Sequence, residues 1–238
     1  MRTLLLTVTL CASASIGADF AHSAEMNTTD KRSNDDILII IGASYAADWG
    51  QPPLSRYRIV NKGVGGEESS QVLARFERDV LAHRPNTVLI WGHINDMFRA
   101  PRDQLDRAKE RARANYRQMH EQAAAAGIET ILATEVTLTI GDSWLDEIRA
   151  FIGKLRGREN YRVTINNHVK DVNAWLRSYA AEHNLMLLDF ERAVDGGTGS
   201  RREEYSQEDG SHISPAGYEA LTRYAQRAFS QRSGAAGR

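Results

Sequence analysis

The stretch "ILIIIGASYAADWG", residues 37 to 50, opens with an aliphatic run and turns abruptly to small, polar and aromatic residues. An unbroken, mostly β-branched run leaves no polar face for water, so it reads as a strand covered on both sides. Strands of that kind belong to parallel sheets packed between helices. Similar runs follow at "YRIV" (57–60), "TVLIW" (87–91), "TILAT" (130–134) and "LMLLD" (185–189). Between them the apolar residues recur with helical period over 67–82, 103–126 and 160–183, and again from Pro215. In the first of these helices Val72, Leu73, Phe76, Val80 and Leu81 share one face. Gly127 stands where a helix C-terminal cap belongs. Strand and helix alternate throughout, which predicts an α/β fold: three α/β/α layers around a central parallel sheet.

Composition is consistent with one such domain. The 238 residues are 42% hydrophobic and 26% charged, with a formal net charge of -1. A near-neutral chain lacks the basic excess that nucleic acid or an anionic membrane would call for, so neither is expected as a partner. No stretch approaches the ~20 apolar residues of a membrane span.

The N-terminus reads differently. Arg2, an apolar stretch from Leu4 to Ile16 and then small residues form the three-part layout of a secretory signal peptide. Residues 1–24 are therefore expected to be a signal peptide, 25–35 a polar linker, 36–230 the folded domain and 231–238 a flexible tail. A secreted or periplasmic location follows from that reading. Cys11 lies inside the leader, so the mature chain would carry no cysteine for a disulfide, a thiol nucleophile or a thiolate metal site.

A doubly wound sheet binds ligands at the carboxyl ends of its strands. Ser44 follows the first strand at a tight turn; a lone serine there ordinarily caps the next helix. The full G-x-S-x-G elbow is absent because Ala46 replaces its second glycine. "NKGVGGEESS" follows the second strand, with Gly63, Gly65 and Gly66 marking a sharp turn or a close backbone approach. Their spacing does not fit a dinucleotide loop. "WGHINDMF" closes the third strand and offers the Asn95 amide as a donor, with Asp96 able to hold the loop. His93 reads as a packed strand-end side chain. Met97 and Phe98, directly after, are candidates for touching substrate.

"DGSHISPAGY" (209–218) precedes the last helix, with Ser214 at its N-cap and Pro215 at its first position. Alone, Asp209 and His212 form a weak signal. Together with the strand-end serine, the glycine loop and Asn95 they assemble one machine. A serine hydroxyl needs a base, which His212 supplies, and Asp209 fixes the imidazole tautomer. The N–H groups of Ser44 and Gly66 and the Asn95 amide are placed to stabilise an oxyanion.

By these residues the chain resembles the SGNH (GDSL-type) hydrolases over roughly residues 36 to 228. "IIIGAS", "NKGVGG", "GHIND" and "EDGSHISPAGY" are similar to that family's four blocks. The helix and strand in "INNHVKDVNAWLRSYAAEHNLMLLDF" also resemble those before its last block. Ala43 stands where the family's signature aspartate usually sits, and His93 where glycine is common. The resemblance implies a flavodoxin-like fold and ester hydrolysis through an acyl-enzyme on Ser44, without a cofactor or metal. It implies Asp209 and His212 as the remaining catalytic residues and Ser44, Gly66 and Asn95 as the oxyanion hole. The expected substrate is a small-molecule, lipid or saccharide ester, in the manner of a lysophospholipase or esterase. A carbohydrate O-acetylesterase is the alternative, and a catalytically idle lipid- or carbohydrate-binding module a second one. A helix at 143–155, with Leu145, Ile148, Ile152 and Leu155 on one face, is a further candidate for receiving an acyl chain, though such stripes more often pack on a core.

Overall fold

A computed structural model describes residues 36–54, 57–140, 160–197 and 199–236, with side chains through 232. The expected leader, the linker and the helix at 143–155 lie outside the described residues.

All five expected strands are present: β1 (Asp36–Gly42), β2 (Tyr57–Gly63), β3 (Thr87–Trp91), β4 (Glu129–Ala133) and β5 (Met186–Leu188). They form one parallel sheet in the order β2-β1-β3-β4-β5. This is the flavodoxin-like order, whose reversal point falls between β1 and β3. The aliphatic run of β1 sits at the centre of the core, with Leu38, Ile39, Ile40 and Ile41 almost wholly buried. Burying each such side chain contributes about 1.5–3 kcal/mol. Removing one, as in Ile40→Ala, should cost about 2–5 kcal/mol because a packed sheet centre cannot collapse onto the void.

Register brings the strand ends together. Gly42 pairs with Gly63 on one side and with Trp91 on the other, so β1, β2 and β3 finish side by side. The loops that leave them therefore open onto one rim of the sheet.

The helices are α1 (Ser44–Asp48), α2 (Ser69–Ala74), α3 (Phe76–Asp79), α4 (Ile94–Arg99), α5 (Leu105–Ala125), α6 (Tyr161–Glu182), α7 (Phe190–Ala193) and α8 (Pro215–Ala236). Two depart from expectation. The helix expected over 67–82 breaks at Arg75, whose backbone leaves helical geometry (φ -106°, ψ 4°). Its guanidinium is drawn inward, donating to the carbonyls of Gly42 (3.0 Å) and Lys62 (2.7 Å) and to Glu67 (2.7 Å). The last helix runs on to Ala236 instead of ending in a flexible tail at 231. The end of α5 follows its signal: Gly127 N–H bonds Ala124 and Ile128 N–H bonds Ala123, the paired bonds of a Schellman cap.

Candidate active site

Ser44 begins α1, one residue beyond the β1–α1 turn, and is partly buried. Among the described residues nothing accepts its backbone N–H, as befits the first turn of a helix, and nothing bonds its hydroxyl. The glycine loop after β2 shows why two of its glycines are needed. A Cβ on Gly63 would lie 2.3 Å from the backbone nitrogen of Ala47, so α1 can settle on β2 only over a bare backbone. Gly66 has φ +77°, a left-handed conformation that side chains resist. Its carbonyl accepts from Arg99, and its N–H has no acceptor among the described residues.

Beyond β3, Asn95 lies in the first turn of α4 and donates one amide hydrogen to the carbonyl of Glu67 at 2.9 Å. Among the described residues nothing accepts its second amide hydrogen. Asp96, fully buried, accepts from Ser69 N–H (2.8 Å) and Ser69 Oγ (2.7 Å). It thus staples the β3 loop to the glycine loop. His93 is wholly buried against Tyr116, and burial lowers its imidazole to about 3.

The fourth loop carries Asp209 and His212. Asp209 Oδ1 accepts the N–H groups of Ser211 (2.8 Å) and His212 (2.9 Å), which frees Oδ2 to meet His212 Nδ1 at 2.5 Å. Burial raises the carboxyl, but these bonds outweigh it and hold Asp209 well below the ordinary carboxylate range. With Nδ1 engaged, Nε2 is the ring nitrogen left for other chemistry. Ser214 caps α8 by accepting the N–H of Gly217 (3.2 Å), which sets the helix start directly after the histidine.

These loops meet. One cleft of about 460 Å³ is lined by Ser44, Gly66, Asn95 and His212, together with Tyr45, Asp48, Gly65, Ile94, Phe98 and Ser211. Ser44 and His212 share this cleft without a hydrogen bond between their side chains. Asp209 stands behind the histidine. Of the two residues expected to touch substrate, Phe98 lines the cleft, but Met97 does not: it is 0% exposed and belongs to the core. One helical step turns it roughly 100° from Phe98, which carries it under α4.

A hydroxyl, an imidazole held by a carboxylate, and unpaired N–H donors at one rim of a parallel sheet suit acyl transfer. The fold is that of an α/β/α hydrolase acting on ester bonds. The chain belongs to the GDSL-like lipase/acylhydrolase family, whose model matches residues 41–220. A comparison with curated proteins finds no match. Among solved structures it is similar to a GDSL-like lipase from Bacteroides thetaiotaomicron VPI-5482, with 20% identity over 83% of this chain and 89% of that one (TM-score 0.63). A protein from Bacteroides fragilis NCTC 9343 described as an acylhydrolase has 25% identity over 88% and 92% (TM-score 0.62). An acetylxylan esterase from Geobacillus stearothermophilus has 20% identity over 82% and 94% (TM-score 0.60).

Several residues that shape the cleft carry no motif. Arg75 ties the ends of β1 and β2 together, and a buried arginine cannot be told from a surface one by its neighbours in sequence. Glu135 is different. It follows "TILAT" at a strand end, where the rule that singles out Ser44 and Asn95 applies equally.

Proposed function

We propose that this chain is a serine esterase that cleaves carboxylic esters through an acyl-enzyme on Ser44. His212 Nε2 takes the hydroxyl proton as the oxygen attacks the ester carbonyl, and returns it to the leaving alcohol. Asp209 orients the ring and stabilises the imidazolium. The oxyanion is met by the N–H groups of Ser44 and Gly66 and by the free amide hydrogen of Asn95. Water then repeats the sequence to release the acid. The observation that carries this reading is the shared cleft, in which Ser44 and His212 stand together while Asp209 holds the far ring nitrogen at 2.5 Å.

A second reading, carbohydrate O-acetylester hydrolysis, is favoured by the cleft lining. Among the described residues the apolar lining beside Ser44 comes from Phe98, with Ile94 (3% exposed) and Tyr45 (4% exposed) offering little surface. That is a modest surface for a long acyl chain and sufficient for an acetyl group. Export through the N-terminal leader is part of the same proposal; the N-terminal residue of the protein recovered outside the cytoplasm tests it.

Fluorophosphonate labelling followed by mass mapping of the modified peptide tests nucleophile and activity together. The expected adduct lies on Ser44 and disappears in Ser44→Ala, along with ester turnover. An unlabelled, inactive protein would support the idle binding module. Turnover of p-nitrophenyl acetate against the octanoate separates the substrate readings: strong preference for eight carbons contradicts the acetylesterase.

A further inference from the structure

Arg201 lies outside every motif of the family and outside the cleft lining, yet it is 1% exposed and points at the loop that carries Asp209 and His212. Its Nη2 donates to the carbonyls of Ser211 (2.9 Å) and Gly210 (3.3 Å), and its Nε to Ser206 Oγ (2.9 Å). Its guanidinium carbon lies 5.9 Å from the centre of the Tyr45 ring. The Tyr45 hydroxyl donates to the same Ser211 carbonyl at 2.5 Å. Tyr45 follows Ser44 in α1. One carbonyl of the histidine loop is thus grasped jointly by a buried cation and by the neighbour of the serine.

The chemistry of this arginine is unusual for a structural role. Among the described residues no carboxylate pairs with it, and its Nη1 is buried without a partner. A buried charge without a counter-ion is costly, and an apolar side chain of the same size would fill the space more cheaply. What the guanidinium supplies instead is geometry: a rigid plane in which Nε holds Ser206 Oγ while Nη2 donates to two successive carbonyls of the histidine loop. Those carbonyls belong to the peptides whose N–H sides face Asp209. Ser211 N–H and His212 N–H both donate to its Oδ1. The loop is gripped on both sides, by the carboxylate on its N–H side and by Arg201 on its carbonyl side.

We propose that Arg201 is a positioning residue of the esterase, locking the Asp209–His212 loop against the Tyr45 end of the nucleophile helix. The inference rests on the Ser44 and His212 assignment above. It acts by keeping the imidazole in line with Ser44, so its loss lowers kcat more than it raises KM.

The test uses Arg201→Met and Arg201→Lys in the full chain, with p-nitrophenyl acetate as substrate. Arg201→Met should lower kcat about 100-fold and Arg201→Lys about 10-fold, because an ammonium lacks the plane that holds Ser206 Oγ and the two carbonyls at once, with KM within about threefold of wild type. Fluorophosphonate labelling of Ser44 should slow in step. In an Asp209→Asn background, Arg201→Met should cost less than about threefold, since both changes act on one loop. A folded Arg201→Met with wild-type kcat, or a full 100-fold loss on top of Asp209→Asn, overturns the proposal. If Arg201→Met does not fold, Tyr45→Phe decides: it removes one hydroxyl from the same carbonyl and should lower kcat several-fold at unchanged KM, and wild-type kcat counts against the lock. Activity persisting in Ser44→Ala would instead overturn the underlying reading of the site.

Discussion

Glu135 Oε2 accepts the backbone N–H groups of His93 (2.5 Å) and Ile94 (3.2 Å), the residues directly before Asn95. A carboxyl at the end of β4 therefore caps the helix that presents the Asn95 amide. The acid itself is held by Asn173, whose side chain bonds both the N–H and the carbonyl of Glu135 at 2.8 Å. Glu135 Oε2 is also 3.7 Å from His93 Nδ1. Burial dominates both groups, raising the carboxyl to about 7 and lowering the imidazole to about 3, so between those values they stand as a neutral pair and not as an ion pair.

That pair has a pH signature. A carboxyl raised from 4.5 to about 7 contributes stability that is complete below pH 4.5 and is lost as pH rises toward 7. His93, lowered from 6.5, works in the opposite direction, weakening the fold as pH falls from 6.5 toward about 3. Glu135→Gln removes the first contribution and leaves the second. The stability of the variant relative to wild type should therefore increase by up to about 3 kcal/mol between pH 4.5 and 7. Urea unfolding at both pH values measures it, and a constant difference would mean that Glu135 is not held neutral by burial.

Asp96 should matter to the fold before it matters to chemistry. Its two oxygens satisfy Ser69 N–H and Oγ, and Asn115 completes the cluster through Ser69 Oγ at 2.8 Å. Asp96→Ala leaves a buried N–H unpaired and should cost about 2–4 kcal/mol in urea unfolding. Asp96→Asn, which keeps one acceptor, should cost less. Equal losses would mean that volume and not hydrogen bonding is at stake.

The sheet was legible in the sequence because its strands are buried on both faces. Runs such as "ILIII" and "TVLIW" have no alternation to misread, and each falls on an observed strand. The cleft loops were legible because they follow those runs directly, on residues whose chemistry is distinctive. Met97 was misplaced because adjacency to Asn95 says nothing about direction once the segment coils into α4. Arg75 broke an apparently continuous helix because the apolar period ignores a charged side chain that satisfies carbonyls at distant strand ends. Arg201 and Asn173 went unnoticed for a related reason: their partners are remote in sequence and mostly backbone, which carries no sequence signal. Glu135, by contrast, stood at a strand end where the rule used for Ser44 and Asn95 could have found it.

Gly66→Ala should separate backbone conformation from simple bulk. At φ +77° the added methyl strains the turn by roughly 1–2 kcal/mol. The new Cβ would also stand 3.3 Å from the Arg99 guanidinium that holds the Gly66 carbonyl. Both effects displace the peptide that offers the oxyanion donor, so kcat should fall 10- to 100-fold, on the order of losing part of one donor. Gly65→Ala is the comparison, because its Cβ meets nothing within 4 Å. Steady-state kinetics showing equal losses at the two positions would remove the conformational argument.

Asn95→Ala should reduce kcat by about 10²–10³ while KM changes little, as expected for a donor used mainly in the transition state. The same substitution cuts the 2.9 Å bond to the Glu67 carbonyl. Thermal unfolding should show only a modest loss, about 1 kcal/mol, because that bond lies at a partly exposed rim. A loss of activity that tracks unfolding at the assay temperature would assign Asn95 to the scaffold and not to the oxyanion.

The acid limb of activity should report one proton. Burial pushes the Asp209 carboxyl up, but the His212 ring and the N–H groups of His212 and Ser211 more than reverse this, so the group stays ionised well below the ordinary carboxylate range. The stability it lends is present above its unfolded value of 3.8 and fades only as pH drops through the lower folded one. Between pH 4.5 and 7 Asp209 therefore stays a carboxylate and adds no proton step of its own to the profile. A plot of log kcat/KM against pH should fall toward acid with unit slope, and Asp209→Asn should lower kcat by about 10²–10⁴. A slope approaching two above pH 4.5 would mean that the Asp209 carboxylate gains a proton in that range and is not held by its hydrogen bonds.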